Sequence, residues 1–137
     1  MRLSSLALTL SSAFGLVHGR PAARAAKPPQ IFLIGDSTVA INGGWGNGFL
    51  SYIEEPAQGE NIGVSGATTD SWKTNGRWDA LLSDINTAKS DYEPIVTIQF
   101  GHNDQKNGDY DLFENNLRSI ALDIKEAGGT PVRHSHP

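Results

Sequence analysis

Cysteine is absent from the 137 residues. That absence excludes disulfides, thiolate metal sites and a cysteine nucleophile together. Charge is sparse and mixed. Eleven basic and fifteen acidic residues give a formal net charge of −4, and no run of like charge stands out. Nucleic-acid binding needs a clustered basic face, so no nucleic-acid partner is expected. No Asn-x-Ser/Thr acceptor for glycosylation occurs, and no internal repeat is visible. The apolar stretch from Leu3 to Val17 is too short and too rich in serine for a membrane anchor, so no membrane association is expected.

Small and turn-forming residues are plentiful, with fifteen glycines. At the N-terminus, Arg2 precedes the apolar stretch, and Val17-His18-Gly19 offers compact residues at cleavage offsets. This pattern predicts a signal peptide over residues 1–19, with Ala23-Arg24-Ala25 as a later alternative cleavage site. The expected localisation is therefore secreted and extracellular. A secreted chain without cysteine must rely on its core. Residues 20–30, rich in Pro, Ala and basic residues, read as a linker.

Ile31-Phe32-Leu33-Ile34 is an uninterrupted apolar run between Pro29 and Gly35, as expected of a strand covered on both faces. A loop is expected over 43–48, a short helix over 48–53 and a weak strand over 61–64. Trp78, Leu81, Leu82 and Ile85 recur at helical spacing, which predicts a helix from Arg77 to about Ala88. Ile95 to Phe100 reads as a second strong strand. Asp111 stands three residues before Glu114, a capping-box variant, ahead of the stripe Phe113, Leu117, Ile120, Ala121 and Ile124. Gly128-Gly129 ends that helix, and Thr130-Pro131-Val132 begins another strand. Strands alternating with amphipathic helices predict an α/β fold with a parallel sheet.

Ligands of such folds bind beyond the carboxyl ends of the strands. Gly35-Asp36-Ser37-Thr38 follows the first strand and Gly101-His102-Asn103-Asp104 follows a later one, which puts both at one sheet edge. Ser37, at a strand-to-loop turn, is a candidate nucleophile, and Gly35 permits the sharp bend. The alternative for Ser37 is a turn or helix N-cap serine. Asn103 is a candidate side-chain donor to a developing oxyanion, or else an ordinary Asx-turn residue. Gly66, in Val64-Ser65-Gly66-Ala67, offers a backbone N–H, or is simply a loop glycine.

Taken in this order, the motifs resemble the SGNH (GDSL-type) hydrolases. The Gly44-Trp45-Gly46-Asn47, Gly76-Arg77-Trp78 and Phe100 to Asp104 segments are most similar to the rhamnogalacturonan acetylesterase branch. The resemblance runs from about Ile31 to Val132, the N-terminal portion of the family's domain over 31–132. It implies a three-layer α/β/α flavodoxin-like fold, incomplete at the C-terminus. It implies catalytic Ser37 as nucleophile, with an oxyanion hole formed by the N–H groups of Ser37 and Gly66 and the Asn103 side chain. It implies acyl transfer from an acetylated polysaccharide such as rhamnogalacturonan to serine, then hydrolysis. No metal or organic cofactor is implied, and the expected folded state is a monomer. Trp45 and His102 are candidate substrate contacts. Trp72 and Trp78 are alternatives between sugar stacking and core packing, and Lys73 and Arg77 between uronate binding and ordinary surface charge.

The family supplies the nucleophile's base from an Asp-x-x-His segment. Here no Asp stands three residues before any His. His102 fills the variable position of Gly-x-Asn-Asp, and after Val132 the text changes to the polar tail 133–137, Arg-His-Ser-His-Pro. A truncated product, with an unpaired sheet edge, an uncovered face and a tendency to aggregate, is the expectation for the chain as written. His134 or His136 acting as a surrogate base is a second possibility. The competing functional readings are a non-catalytic relative that binds carbohydrate, and a lipase-like enzyme.

Overall fold

The computed structural model describes residues 26–74 and 76–133. The expected signal peptide, the linker before Ala26 and the two tail histidines lie outside the described residues. Four parallel strands form one sheet in the order β2-β1-β3-β4, built from β1 (Pro29–Gly35), β2 (Gln58–Asn61), β3 (Glu93–Gln99) and β4 (Thr130–Arg133). Four α-helices connect them: α1 (Gly46–Leu50), α2 (Thr69–Thr74), α3 (Arg77–Ala88) and α4 (Tyr110–Ala127).

The apolar run of β1 is buried on both sides, as its composition requires. Successive side chains alternate between faces. Phe32 and Ile34, with Val96 and Ile98 of β3, enter the larger core beneath α2, α3 and α4. Ile31 and Leu33 enter a smaller core with Val39, Leu50 and Trp45 around α1. The arrangement has three layers, with α1 and its flanking loops forming the thinner one. Trp78, Leu81, Ile85 and Ala88 bury one stripe of α3, and Ile120 and Ile124 anchor α4. Each such aliphatic side chain contributes about 1.5–3 kcal/mol by leaving water.

Several boundaries differ from expectation. The α1 helix begins two residues early, because Gly46 packs where a Cβ would lie 2.5 Å from the Asn61 amide and 2.6 Å from the Val39 carbonyl. The strand expected over 61–64 lies at Gln58–Asn61 instead. Ile62 and Val64 still donate to the Leu33 and Gly35 carbonyls, but the Asn61 side chain captures the Gly63 N–H and bends the chain out of regular pairing. The α4 cap is Asp109, whose Oδ1 accepts from Leu112 N at 2.9 Å, so Asp111 falls within the first turn. Helix α2 has no counterpart among the expected elements.

Strand β1 lies between β2 and β3, and the chain leaves β1 and β3 toward opposite sides of the sheet. This is a topological switch point, where two loops diverge and leave a crevice at the carboxyl ends. Both motif loops begin there.

Candidate active site

The register pairs Gly35 with Gln99. The two strands approach so closely that a Cβ on Gly35 would lie 2.3 Å from the Gln99 carbonyl oxygen. Immediately beyond, Asp36 is buried, and its N–H donates to Gln99 O at 3.2 Å. Its Oδ1 accepts from Thr38 N at 2.9 Å and from the Thr38 hydroxyl at 2.8 Å. Its carbonyl accepts from Val39 and Ala40 N–H, each at 3.1 Å. Asp36 therefore folds the chain into a tight turn around Ser37. Ser37 is half-buried, and neither its hydroxyl nor its N–H bonds to another described residue.

The second loop is turned by Gly101 at φ 131°, a conformation other residues rarely adopt. Asn103 then stands at the N-cap position of a single 3₁₀ turn, Asp104–Asn107, its side chain making no capping bond. Asn103 Nδ2 donates to Ala67 O at 3.0 Å, and its Oδ1 accepts from Lys106 Nζ at 2.8 Å. Asp104 is buried, and its Oδ1 accepts from Thr69 N at 2.9 Å and from the Thr69 hydroxyl at 2.5 Å. Asn116 of α4 donates to the same Thr69 oxygen at 3.2 Å.

These bonds tie three loops together. Gly66, at φ 82°, stands between Val64, which donates to Gly35 O at 2.9 Å, and Ala67, which accepts from Asn103. The Gly66 N–H makes no bond to another described residue. The Ser37 turn is fixed to β3 through Gln99, and the Gly66 loop is fixed both to β1 and to the Asn103 turn. The N–H groups of Ser37 and Gly66 and the second Asn103 side-chain N–H, without partners among the described residues, thus stand on mutually braced loops at one end of the sheet.

The other named residues divide. Trp45 is half-buried, donates Nε1 to Gln99 Oε1 at 2.5 Å and packs edge-on against Phe49 at 5.9 Å. It ties the start of α1 to the end of β3. His102 is exposed and borders a cavity of about 620 Å³ that Thr38, Phe100, Tyr110, Phe113 and Arg133 also line. Trp72 and Trp78 are core residues, meeting edge-on at 6.4 Å, so neither stacks on sugar. Lys73 is half-buried, paired with Asp123 at 3.2 Å and donating to Ser119 at 2.7 Å, with its ammonium 5.4 Å from the Trp78 ring centroid. The Thr69, Asn116 and Lys106 contacts escaped the sequence reading. Only Lys106, one 3₁₀ turn after Asn103, left a signal in the spacing.

A family model described as GDSL-like lipase/acylhydrolase matches residues 31–131. The chain is 38% identical over 116 residues to the rhamnogalacturonan acetylesterase RhgT of Bacillus subtilis (strain 168), covering 77% of this chain and 48% of that one. It is 27% identical over 116 residues to the probable rhamnogalacturonan acetylesterase YesY of the same organism, covering 75% and 51%. The chain thus spans about half the length of these curated relatives. The psychrotrophic esterase EstA from Pseudoalteromonas sp. shares the fold, with TM-score 0.58 and 21% identity over 76% of this chain and 57% of that one. The extent of the family match, together with two motif loops braced at the switch point of a parallel sheet, establishes that this chain belongs to the GDSL-like lipase/acylhydrolase family.

Proposed function

We propose that this chain carries the nucleophile and oxyanion-binding half of an esterase that removes O-acetyl groups from cell-wall polysaccharide. The carrying observation is the bracing of the Ser37, Gly66 and Asn103 loops through Asp36–Gln99, Val64–Gly35 and Asn103–Ala67 bonds. Ser37 Oγ attacks the acetyl carbonyl carbon. The carbonyl electrons move onto oxygen, where the Ser37 and Gly66 N–H groups and the Asn103 amide receive them. Collapse breaks the ester C–O bond and expels the sugar alkoxide, which becomes the free hydroxyl by taking up the proton that Ser37 gave to the base. Water then cleaves the acetyl-serine to acetate. The similarity to rhamnogalacturonan acetylesterases supports the acetylated substrate.

The attacking hydroxyl must lose a proton, and serine is a weak nucleophile without a base. Within these 137 residues no Asp-x-x-His supplies that base, so a test of this chain adds imidazole as a diffusible one. Hydrolysis of a chromogenic acetyl ester by the 137-residue protein should depend on Ser37 and rise with added imidazole. A wild-type rate no higher than that of Ser37→Ala, with imidazole present, rejects the reading.

The Ser37 hydroxyl, which has no partner among the described residues, favours a second reading, in which the chain binds acetylated polysaccharide without turning it over. Retention on immobilised acetylated pectin, lost on its deacetylation and unaccompanied by acetate release, is its signature. The reading also includes secretion, supported by Arg2 and the apolar stretch after it. Expression of the full chain in a secreting host should yield extracellular protein whose N-terminus follows Gly19 or Ala25.

A further inference from the structure

An asparagine amide has one accepting and one donating end, and its partners decide which way it faces. Around Asn103 the partners are unambiguous. The Lys106 ammonium can only donate, so it faces Oδ1, at 2.8 Å. The Ala67 carbonyl can only accept, so it faces Nδ2, at 3.0 Å. Turning the amide over would set two donors together and two acceptors together. One Nδ2 hydrogen is thereby committed to Ala67, and the other is left without a partner among the described residues.

Lys106 reaches this position because the 3₁₀ turn eclipses side chains three residues apart. Its own N–H donates to the Asn103 carbonyl at 3.1 Å, which holds the turn closed. A cation at Oδ1 also draws electron density along the amide and strengthens Nδ2–H as a donor. We propose that Lys106 is a positioning residue that fixes and polarises the Asn103 amide for oxyanion binding. The proposal rests on the esterase reading above.

Methylboronic acid tests it without requiring turnover. Boron bonds to Ser37 Oγ, the hydroxyl proton leaves to solvent, and the resulting tetrahedral anion places an oxygen at the donor set. Boron NMR titrations of the full chain compare wild type, Ser37→Ala, Lys106→Met and Lys106→Arg. In parallel, nitrogen–proton spectra follow the Asn103 side-chain amide, assigned with Asn103→Ala. Lys106 is exposed, so its variants should fold with an unchanged thermal midpoint.

Lys106→Met is expected to shift the Asn103 amide resonance and to weaken Ser37-dependent boronate binding about fivefold, the scale of one exposed charged contact. Lys106→Arg should restore both. Equal Ser37-dependent affinity in wild type and Lys106→Met overturns the role of Lys106 and leaves the esterase reading standing. Loss in Lys106→Met that Lys106→Arg does not restore overturns the polarising charge. Wild-type binding no tighter than that of Ser37→Ala overturns the esterase reading, and the proposal with it.

Discussion

At Gly35 a single methyl group would meet the Gln99 carbonyl oxygen at 2.3 Å and Val39 Cγ2 at 2.7 Å. Neither neighbour can retreat, since one is strand backbone and the other core. Gly35→Ala is expected to cost roughly 1–3 kcal/mol, read from the urea midpoint at unchanged slope. Thr69 is the second sensitive point. Its hydroxyl satisfies the buried Asp104 carboxylate, whose other oxygen has no partner among the described residues. Thr69→Val should cost about 1–3 kcal/mol, and Thr69→Ser should recover most of it, both by urea denaturation. These two residues show what is legible at this scale. Ser37 and Asn103 stand in short motifs whose neighbours shape their turns. Thr69 and Asp104 are 35 residues apart in the chain, and no local spacing connects them.

Strong apolar periodicity marks its elements closely. Helix α3 begins at Arg77 and ends at Ala88 as the apolar spacing implies, because one face of it meets the sheet. Ile85→Ala should destabilise by about 2–5 kcal/mol, measured by thermal unfolding. Where a polar side chain decides a boundary, apolar spacing carries no signal for it. The spacing to Glu114 points to Asp111 as the cap, but Gly108 at φ 70° turns the chain one residue before Asp109, whose Oδ1 accepts the Leu112 N–H instead. Asp109→Ala should therefore cost about 1 kcal/mol, and Asp111→Ala clearly less, in paired thermal melts. Helix α2 was illegible for a different reason. Its register comes from Trp72 inserted into the core and Thr69 held by Asp104, both tertiary contacts.

Across the whole molecule, protection should follow sheet order. Strands β1 and β3 pair on both sides, whereas β2 and β4 each have one partner among the described residues. Amide exchange should be slowest in β1 and β3 and faster in β4, which also has the exposed Val132. Comparable protection in all four strands would count against this sheet as the cooperative unit. The α/β class was legible because apolar runs alternate with amphipathic stripes. The bracing of the site was not, since it depends on which loops the sheet order makes neighbours.

That order also bears on how the chain is made. The central strand β1 precedes both of its neighbours, and α1, β2, α2 and α3 are all synthesised before β3 arrives to pair with it. During translation the apolar Ile31-Phe32-Leu33-Ile34 segment waits without its main partner, at the mercy of any hydrophobic surface it meets. Non-local pairing of this kind predicts a folding rate set by closure of a long loop rather than by local helix formation. Chaperone demand should be greatest on ribosomes paused before β3 emerges, and should fall once Gln99 clears the exit tunnel.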